Sequence, residues 1–374
     1  MTHRFVQKLT ALVLALALAV SLAACGAPAS SAGTAEAASE TASEPAAEPA
    51  AESAAEGTAE TAAAPQTTAL TLTDQAGRTV TLDAPAESVV SCYYITTYAV
   101  LALGQKDKIV GLENKADTRA LYALAAPELP GLPQVGTLKE LNVEAVAALA
   151  PDLVVMPKKL LDNAQTLEDL GIPVLVVDPE TQQGLETMLT LLGQALGAGE
   201  QADALLAYTR EQLARAAALT QDLARPEVCL LGNGSYLTVA PAGMYQNDLI
   251  EQAGGVNAAA GIDDDYWAEV SYETLLALDP DVLVIPSGAS YTADDIRADA
   301  QLAALTAVQN GAVYTMPQGL DAWDSPTPSG VLGVLWLTSV LHPDAYPFET
   351  FTADAQAFYQ EFYGFVPDAS LITQ

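Results

Sequence analysis

Residues 142–157 read "NVEAVAALAPDLVVMP" and residues 271–286 read "SYETLLALDPDVLVIP". The two stretches start 129 positions apart and share one pattern. A polar residue (Asn142, Ser271) is followed two positions on by Glu (Glu144, Glu273). Then come an apolar helical stretch, a Pro-Asp pair (Pro151-Asp152, Pro280-Asp281), a β-branched apolar run and a closing Pro. Asn and Ser are favoured N-caps, and a short unbroken run of Val, Leu and Ile suits a buried strand. Each copy predicts a short helix feeding directly into a buried strand.

The flanking sequence repeats the same alternation. The first half opens with "AESVVSCYY", continues "TYAVLALGQKDKIVGLEN" and, after the unit, reads "LEDLGIPVLVVD". The second opens with "PEVCLLG" and continues "NDLIEQAGGVN", its own copy of the unit, and "LTAVQNGAVYTMP". Strand and helix alternate with Gly or Pro at the switches, which predicts parallel sheets. The fold class is therefore α/β, with two lobes (69–180 and 225–374), each a central parallel-type sheet flanked by helices. Between them, 181–224 is a long helical connector with Leu185, Met188, Leu192, Leu196, Leu205, Leu206 and Leu213 along it. Gly193, Gly197 and Gly199 weaken its middle, so it is one helix or a broken pair. Either form predicts little relative motion of the lobes.

Upstream, Arg4 and Lys8 precede an uncharged apolar run from Leu9 to Ala24. The run is short and ends in small residues, so 1–24 reads as a signal peptide rather than a membrane span. It stops at "LAAC", Leu22 to Cys25, which resembles the bacterial lipobox whose Cys is lipidated. One lipid would hold the protein on a bilayer surface without spanning it. Residues 25–68 follow as a tether of Ala, Ser, Thr, Glu, Pro and Gly. Glu recurs every fourth residue from Glu36 to Glu60, but Pro45, Pro49 and Gly57 interrupt any helix and nothing apolar is there to pack.

Once Arg4 and Lys8 leave with the leader, 47 acidic residues face 12 basic ones, and after Pro226 the only basic residue is Arg297. Such a surface repels nucleic acid and anionic headgroups, which excludes those partners. Cys92 and Cys229 each fall in an apolar run that reads as the first strand of its half, so both are expected as buried thiols.

A tethered, two-lobed α/β chain with a helical connector resembles the iron-complex and cobalamin class of ABC-transporter solute-binding proteins. The opening "TLTDQAGRTVTLDAPAESVVS" is similar to that family's N-terminal hairpin through Asp74, Gly77, Arg78, Val80 and Pro85. "LGIPV", "QAGGVN", "GAVYTMP" and "PSGVLGVLWLTSVLHPDAY" also have counterparts in the expected order. The resemblance covers the chain from Leu70 to its end. It implies a monomeric, extracytoplasmic, lipid-anchored protein that is not an enzyme and needs no cofactor, serving a membrane permease dimer and its cytoplasmic ATPase. It also implies that Glu144 and Glu273, one per lobe, dock on arginines of the two permease subunits. A pseudo-twofold protein can present one anion to each half of a twofold partner. The plainer reading of both residues is a carboxylate favouring the helix macrodipole.

In open parallel sheets, ligands meet the loops beyond the carboxyl ends of the strands. Those loops offer Tyr93, Tyr94, Lys139, Lys158 and Lys159 in the first half, and Tyr236, Tyr245, Tyr266, Trp267, Tyr291 and Trp323 in the second. Aromatics facing a cleft suit a large, flat or greasy ligand. "DDDYW" (263–267) and "DAWDSP" (321–326) stand out, because acidic turns rarely spend Trp without a use. A bare-metal receptor would want several His ligands, yet beyond the leader there is only His342. The same shortage, with no nucleophile elbow or phosphate loop, speaks against a hydrolase. An adhesin would not need the repeated Glu-bearing unit. The expected ligand is a small-molecule metal complex. Lys139, Lys158, Lys159 and Arg119 could form a one-sided basic cluster, but the field of the rest of the chain opposes an anion. The charge balance therefore favours a neutral or cationic complex: a hydroxamate-type ferric siderophore first, a corrinoid second, haem with Tyr ligation third.

Overall fold

The structure is a computed structural model and describes residues 69–264 and 266–374. The leader, Cys25 and the tether lie outside the described residues. Among those described, no helix is long and apolar enough to cross a membrane.

The chain opens with an antiparallel hairpin, β1 (Leu70–Thr73) and β2 (Thr79–Leu82). Its turn explains the "DQAGR" motif. The Asp74 carboxylate accepts from the amides of Ala76 (3.0 Å) and Arg78 (2.8 Å), and from Val176 N (3.1 Å). Arg78 Nη2 donates to the Val174 carbonyl at 2.7 Å. One buried acid and one arginine thus fasten the hairpin to a strand about a hundred residues away in sequence.

The first lobe continues through β3 (Val89–Ser91), α1 (Tyr94–Ala102), β4 (Ile109–Leu112), α2 (Ala120–Ala125) and the short hairpin β5 (Gly136–Thr137) and β6 (Glu140–Leu141). Then come α3 (Val143–Leu149), β7 (Leu153–Pro157), α4 (Ala164–Asp169) and β8 (Val174–Val177). Strands β4, β3, β7 and β8 lie in that order and all run parallel.

The segment expected as a connecting helix is a pair, α5 (Gln182–Ala195) and α6 (Gly199–Thr220). The break falls where the glycines are: Gly197 adopts φ +69, and a Cβ on Gly193 would lie 2.6 Å from Ala202 Cβ. The two helices double back on one another, with Arg210 of α6 bonded to Glu186 of α5. Only α6 carries the chain into the second lobe.

That lobe contains β9 (Glu227–Gly232), β10 (Ser235–Val239), α7 (Tyr245–Gln252), β11 (Val256–Asn257), β12 (Ala268–Glu269), α8 (Tyr272–Leu278) and β13 (Val282–Ile285). It ends with α9 (Ala293–Ala298), α10 (Thr306–Gln309), β14 (Val313–Thr315), α11 (Gly330–Leu341) and α12 (Phe348–Phe362). Strands β11, β9, β13 and β14 are parallel, while β10 and β12 add an antiparallel edge.

The sequence repeat is a structural repeat. Asn142 caps α3 by accepting from Ala145 N, and Ser271 caps α8 by accepting from Thr274 N. The Pro inside each unit, Pro151 or Pro280, disfavours a right-handed residue before it, and each helix instead ends through a left-handed residue, Ala150 (φ 44) or Asp279 (φ 39). The next Asp serves the neighbouring strand. Asp152 Oδ2 accepts from Glu87 N (3.0 Å), Ser88 N (2.9 Å) and Ser88 Oγ (2.9 Å) just before β3, and Asp281 Oδ2 accepts from Glu227 N (2.9 Å) at the start of β9. Each Pro-Asp pair thereby sets the register of the central parallel pair, Val89 against Leu153 and Val228 against Val282.

Each sheet has one face on a core of its own lobe. The other faces meet a single apolar cluster that runs through both lobes, from Val89, Tyr98 and Leu192 to Leu249, Trp336 and Tyr359. Helix α11 is its axis, buried from Gly330 to Val340. Both cysteines are free and buried as expected, and burial pushes their thiols up to about 12.

Candidate solute-binding cleft

The loops beyond the carboxyl ends of the first lobe's strands converge. Tyr93 follows β3, Glu113 to Arg119 follow β4, Lys158 and Lys159 follow β7, and Asp178 and Glu180 follow β8. Between them lie two adjoining cavities that share Tyr93 and Leu138. One, of about 190 Å³, is lined by Lys158, Lys159, Asp178, Glu180 and, from the second lobe, Tyr266. The other, of about 330 Å³, is lined by Tyr94, Glu113, Lys115, Arg119 and Lys139. Five basic side chains therefore surround a cleft in a chain whose formal charge is −33.

Their partners differ. Lys158 is paired with Asp178 at 2.8 Å, and that bond raises the pKa of the ammonium. Lys159 Nζ sits 5.3 Å above the Tyr266 ring, a bridge from one lobe to the other. The Arg119 guanidinium lies 4.2 Å over the Tyr94 ring, and its buried Nε–H has no hydrogen-bond partner. The nearest acid, Glu113, is 4.0 Å from that Nε, beyond hydrogen-bond reach. Glu113 instead accepts from Tyr122 Oη (2.6 Å) and Thr97 Oγ1 (3.0 Å). Burial raises the Glu113 pKa, against the pull of those hydroxyls and of Arg119. Glu180 is also raised by burial, opposed by Lys159.

An edge-to-face ladder of tyrosines, Tyr93–Tyr94–Tyr98–Tyr122, supports this wall, with centroids 5.1, 5.6 and 5.4 Å apart. Such packing holds each ring in one orientation. Tyr94 Oη also reaches Ser325 Oγ of the second lobe, at 3.4 Å.

Of the residues expected at the ligand, Tyr93, Tyr94, Lys139, Lys158, Lys159 and Tyr266 come together here. The rest do not. Tyr236 and Tyr291 pack edge-to-face with each other; Tyr236 donates to Asp299 (2.9 Å) and Tyr291 to the Gly232 carbonyl (2.8 Å). Tyr245 is buried in the apolar cluster common to both lobes, and Trp267 is half-buried against the same cluster. Trp323 is fully buried, with Nε1 donating to Tyr359 Oη at 2.8 Å. The "DAWDSP" turn folds inward: Asp321 accepts from Ser329 and Tyr359, and Asp324 from Ser287 (2.7 Å). The acids that made this turn look like surface are satisfied inside, so its Trp fills core. Sequence reading missed Lys115, Glu113 and Glu180, although an acid directly beyond a buried strand ("VGLEN") was a signal for Glu113.

His342 is buried, 3.3 Å from the Gly254 carbonyl, and no group of His, Cys, Asp or Glu among the described residues could hold a bare metal ion. Glu144 and Glu273 are both exposed, in the first turns of α3 and α8.

Two α/β lobes bridged by one long helix, with a polar cleft between strand-end loops, define a solute-binding protein of an ABC transporter. The chain belongs to the periplasmic binding protein family, whose profile matches residues 89–320. It is 25% identical over 329 residues to the molybdate-binding protein MolA of Haemophilus influenzae, covering 78% of this chain and 90% of that one. It is 31% identical over 247 residues to a cobalamin-binding protein of Halobacterium salinarum, covering 64% of each. A crystal structure of a periplasmic solute-binding protein from Veillonella parvula matches with TM-score 0.71 and 27% identity, over 81% of this chain and 95% of that one. The protein is the extracytoplasmic substrate-binding component of an ABC transporter, and the family is not enzymatic.

Proposed function

We propose that the protein captures a metal complex presenting anionic oxygens and delivers it to the permease and ATPase of an ABC importer. Cys25 carries the lipid that holds it at the membrane, and Glu144 and Glu273 dock one on each permease subunit. The observation that carries the ligand reading is Arg119. A guanidinium seated on an aromatic ring, with an unsatisfied buried N–H beside a cavity, is built to meet an anionic or carbonyl oxygen. Lys115, Lys139, Lys158 and Lys159 surround the same cleft, so the local field opposes the acidity of the whole chain.

This moves the preference away from a neutral hydroxamate-type siderophore and toward ferric chelates with catecholate or carboxylate groups. The second reading is a corrinoid. It is favoured by the tyrosine-lined wall and by the name of the Halobacterium relative.

Titration of the purified protein with a ferric catecholate, a ferric citrate complex, a ferric hydroxamate, cyanocobalamin, haemin and molybdate, read by intrinsic fluorescence, tests the class. Arg119→Gln is expected to weaken binding of the preferred anionic complex by about tenfold or more, the worth of a charge-assisted bond. Tight hydroxamate binding that is indifferent to Arg119→Gln sinks the anionic reading.

A further inference from the structure

Four hydroxyls and one carboxylate form a continuous chain behind the wall of the larger cavity. Ser91 ends β3, Thr96 and Thr97 lie in the first turn of α1, Glu113 follows β4 and Tyr122 belongs to α2. All five are buried. Tyr122 Oη meets Glu113 Oε1 at 2.6 Å, and Glu113 Oε2 meets Thr97 Oγ1 at 3.0 Å. From there Thr97 meets Ser91 Oγ at 2.8 Å, Ser91 meets Thr96 Oγ1 at 2.5 Å, and Thr96 meets the Tyr93 carbonyl at 2.7 Å.

Five contacts need five hydrogens, and each hydroxyl carries only one. With Glu113 ionised the chain holds four. The longer approaches of Ser91 (3.1 Å) and Thr97 (3.3 Å) to the Tyr93 carbonyl draw on the same four. One pair of buried oxygens is then left facing without a hydrogen, which is costly at buried atoms. A proton on Oε2 supplies the fifth. Glu113 then donates to Thr97, Thr97 to Ser91, Ser91 to Thr96 and Thr96 to the carbonyl, while Tyr122 still donates to Oε1.

One cation opposes that proton. Arg119 Nε is 4.0 Å from Glu113 Oε1 and favours the carboxylate. The other charged or titratable groups facing Glu113 are Lys115 on its own loop, Lys139 of the β5–β6 hairpin, Tyr98 of α1, Tyr122 of α2 and the Cys92 thiol beyond β3. Glu113 and Arg119 both line the larger cavity. An anionic oxygen bound to the guanidinium therefore cancels the field that keeps Glu113 ionised.

We propose that Glu113 takes up one proton from solvent when an anionic group of the solute binds Arg119, so that solute and proton are captured together. Arg119 then faces the solute alone, and the buried hydroxyl chain is complete. Binding tightens as pH falls and loosens as it rises. The coupling rests on the anionic-solute reading above, and the test separates the two.

Two measurements on the full chain decide it. In the solute-free protein, the carbon-13 carboxyl resonance of Glu113, identified by its loss in Glu113→Gln, is titrated with and without Arg119→Gln. Removing the guanidinium is expected to move the midpoint up by about one pH unit or more; an unmoved midpoint overturns the coupling. Calorimetry with a hexadentate ferric catecholate, in two buffers of different ionisation enthalpy, then counts protons. Up to one proton taken up per solute is expected, with affinity rising by up to about tenfold per pH unit of acidification. Glu113→Gln keeps a donor for Thr97 and an acceptor for Tyr122, and should abolish both effects. Uptake that persists in Glu113→Gln places the proton elsewhere and overturns the proposal. Binding weakened by Arg119→Gln but without proton uptake leaves the anionic reading standing and removes the role of Glu113. Binding indifferent to both Arg119→Gln and pH overturns the anionic reading and the coupling with it.

Discussion

Asp152 and Asp281 occupy equivalent places but do unequal work. Asp152 receives three hydrogen bonds from Glu87 and Ser88, whereas Asp281 receives one from Glu227. Asp152→Ala should therefore lower stability by about 1–2 kcal/mol and Asp281→Ala by less, since each exposed bond contributes about 0.5–1 kcal/mol. Denaturant midpoints will show it; equal losses would mean that the clamp is not what matters. Burial works to raise the Asp152 pKa, but the bonds from Ser88 and Glu87 together hold it below the usual carboxylate range. With a depressed folded value, its contribution is complete above the unfolded pKa of about 3.9 and is lost as pH falls through the folded one. The stability of Asp152→Asn should accordingly be flatter than that of the parent below about pH 4. At this scale the sequence was legible wherever a residue acts on its own neighbours, as Asn142 and Ser271 do as caps. It was not legible for Trp323, whose burial depends on Tyr359 supplying an acceptor 36 positions away.

At the scale of elements, the α5–α6 pair turns on small residues. Gly193 is buried, 2.6 Å from Ala202 Cβ if given a side chain, and close to the Ala198 carbonyl at 3.2 Å. Gly193→Leu must prise the helices apart, with an expected loss of about 1–3 kcal/mol typical of overpacking. Urea unfolding with an unchanged midpoint would mean that the helices do not pack tightly there. The apolar spacing was readable along the whole connector, but a spacing does not say whether two helices continue or fold back. That choice was made by Leu196, Gly197 and Ala198, where the chain reverses, and by the contact it brings about. The antiparallel edge of the second sheet was likewise out of reach, because β12 spans only two residues and is a strand only through its bonds to β10.

For the whole molecule, the apolar cluster common to both lobes is the controlling feature. It places Tyr98 and Leu101 of α1 in one packed unit with Trp336 of α11 and Tyr359 of α12. Separating the lobes would expose these side chains, at about 25 cal/mol for every Å² of apolar surface. Small-angle scattering of the free and solute-bound protein should therefore give the same radius within error. A clear contraction on binding would show that the cluster parts, and with it the argument for a stiff frame.

The sequence by itself determined the two lobes, their strand–helix alternation, the connector's position and the family, because these follow from local periodicity, caps and turns written twice. It also marked Glu144 and Glu273, since a repeat is visible without knowing where it points. Only the tertiary structure decided which aromatics face the cleft and which fill the core, and that five basic residues scattered from Lys115 to Lys159 line one small space. The physical reason is that a strand-end loop's neighbours come from other strands of the sheet. Burial, a guanidinium stacked on a ring and an N–H left beside a cavity exist only once those loops have been brought together.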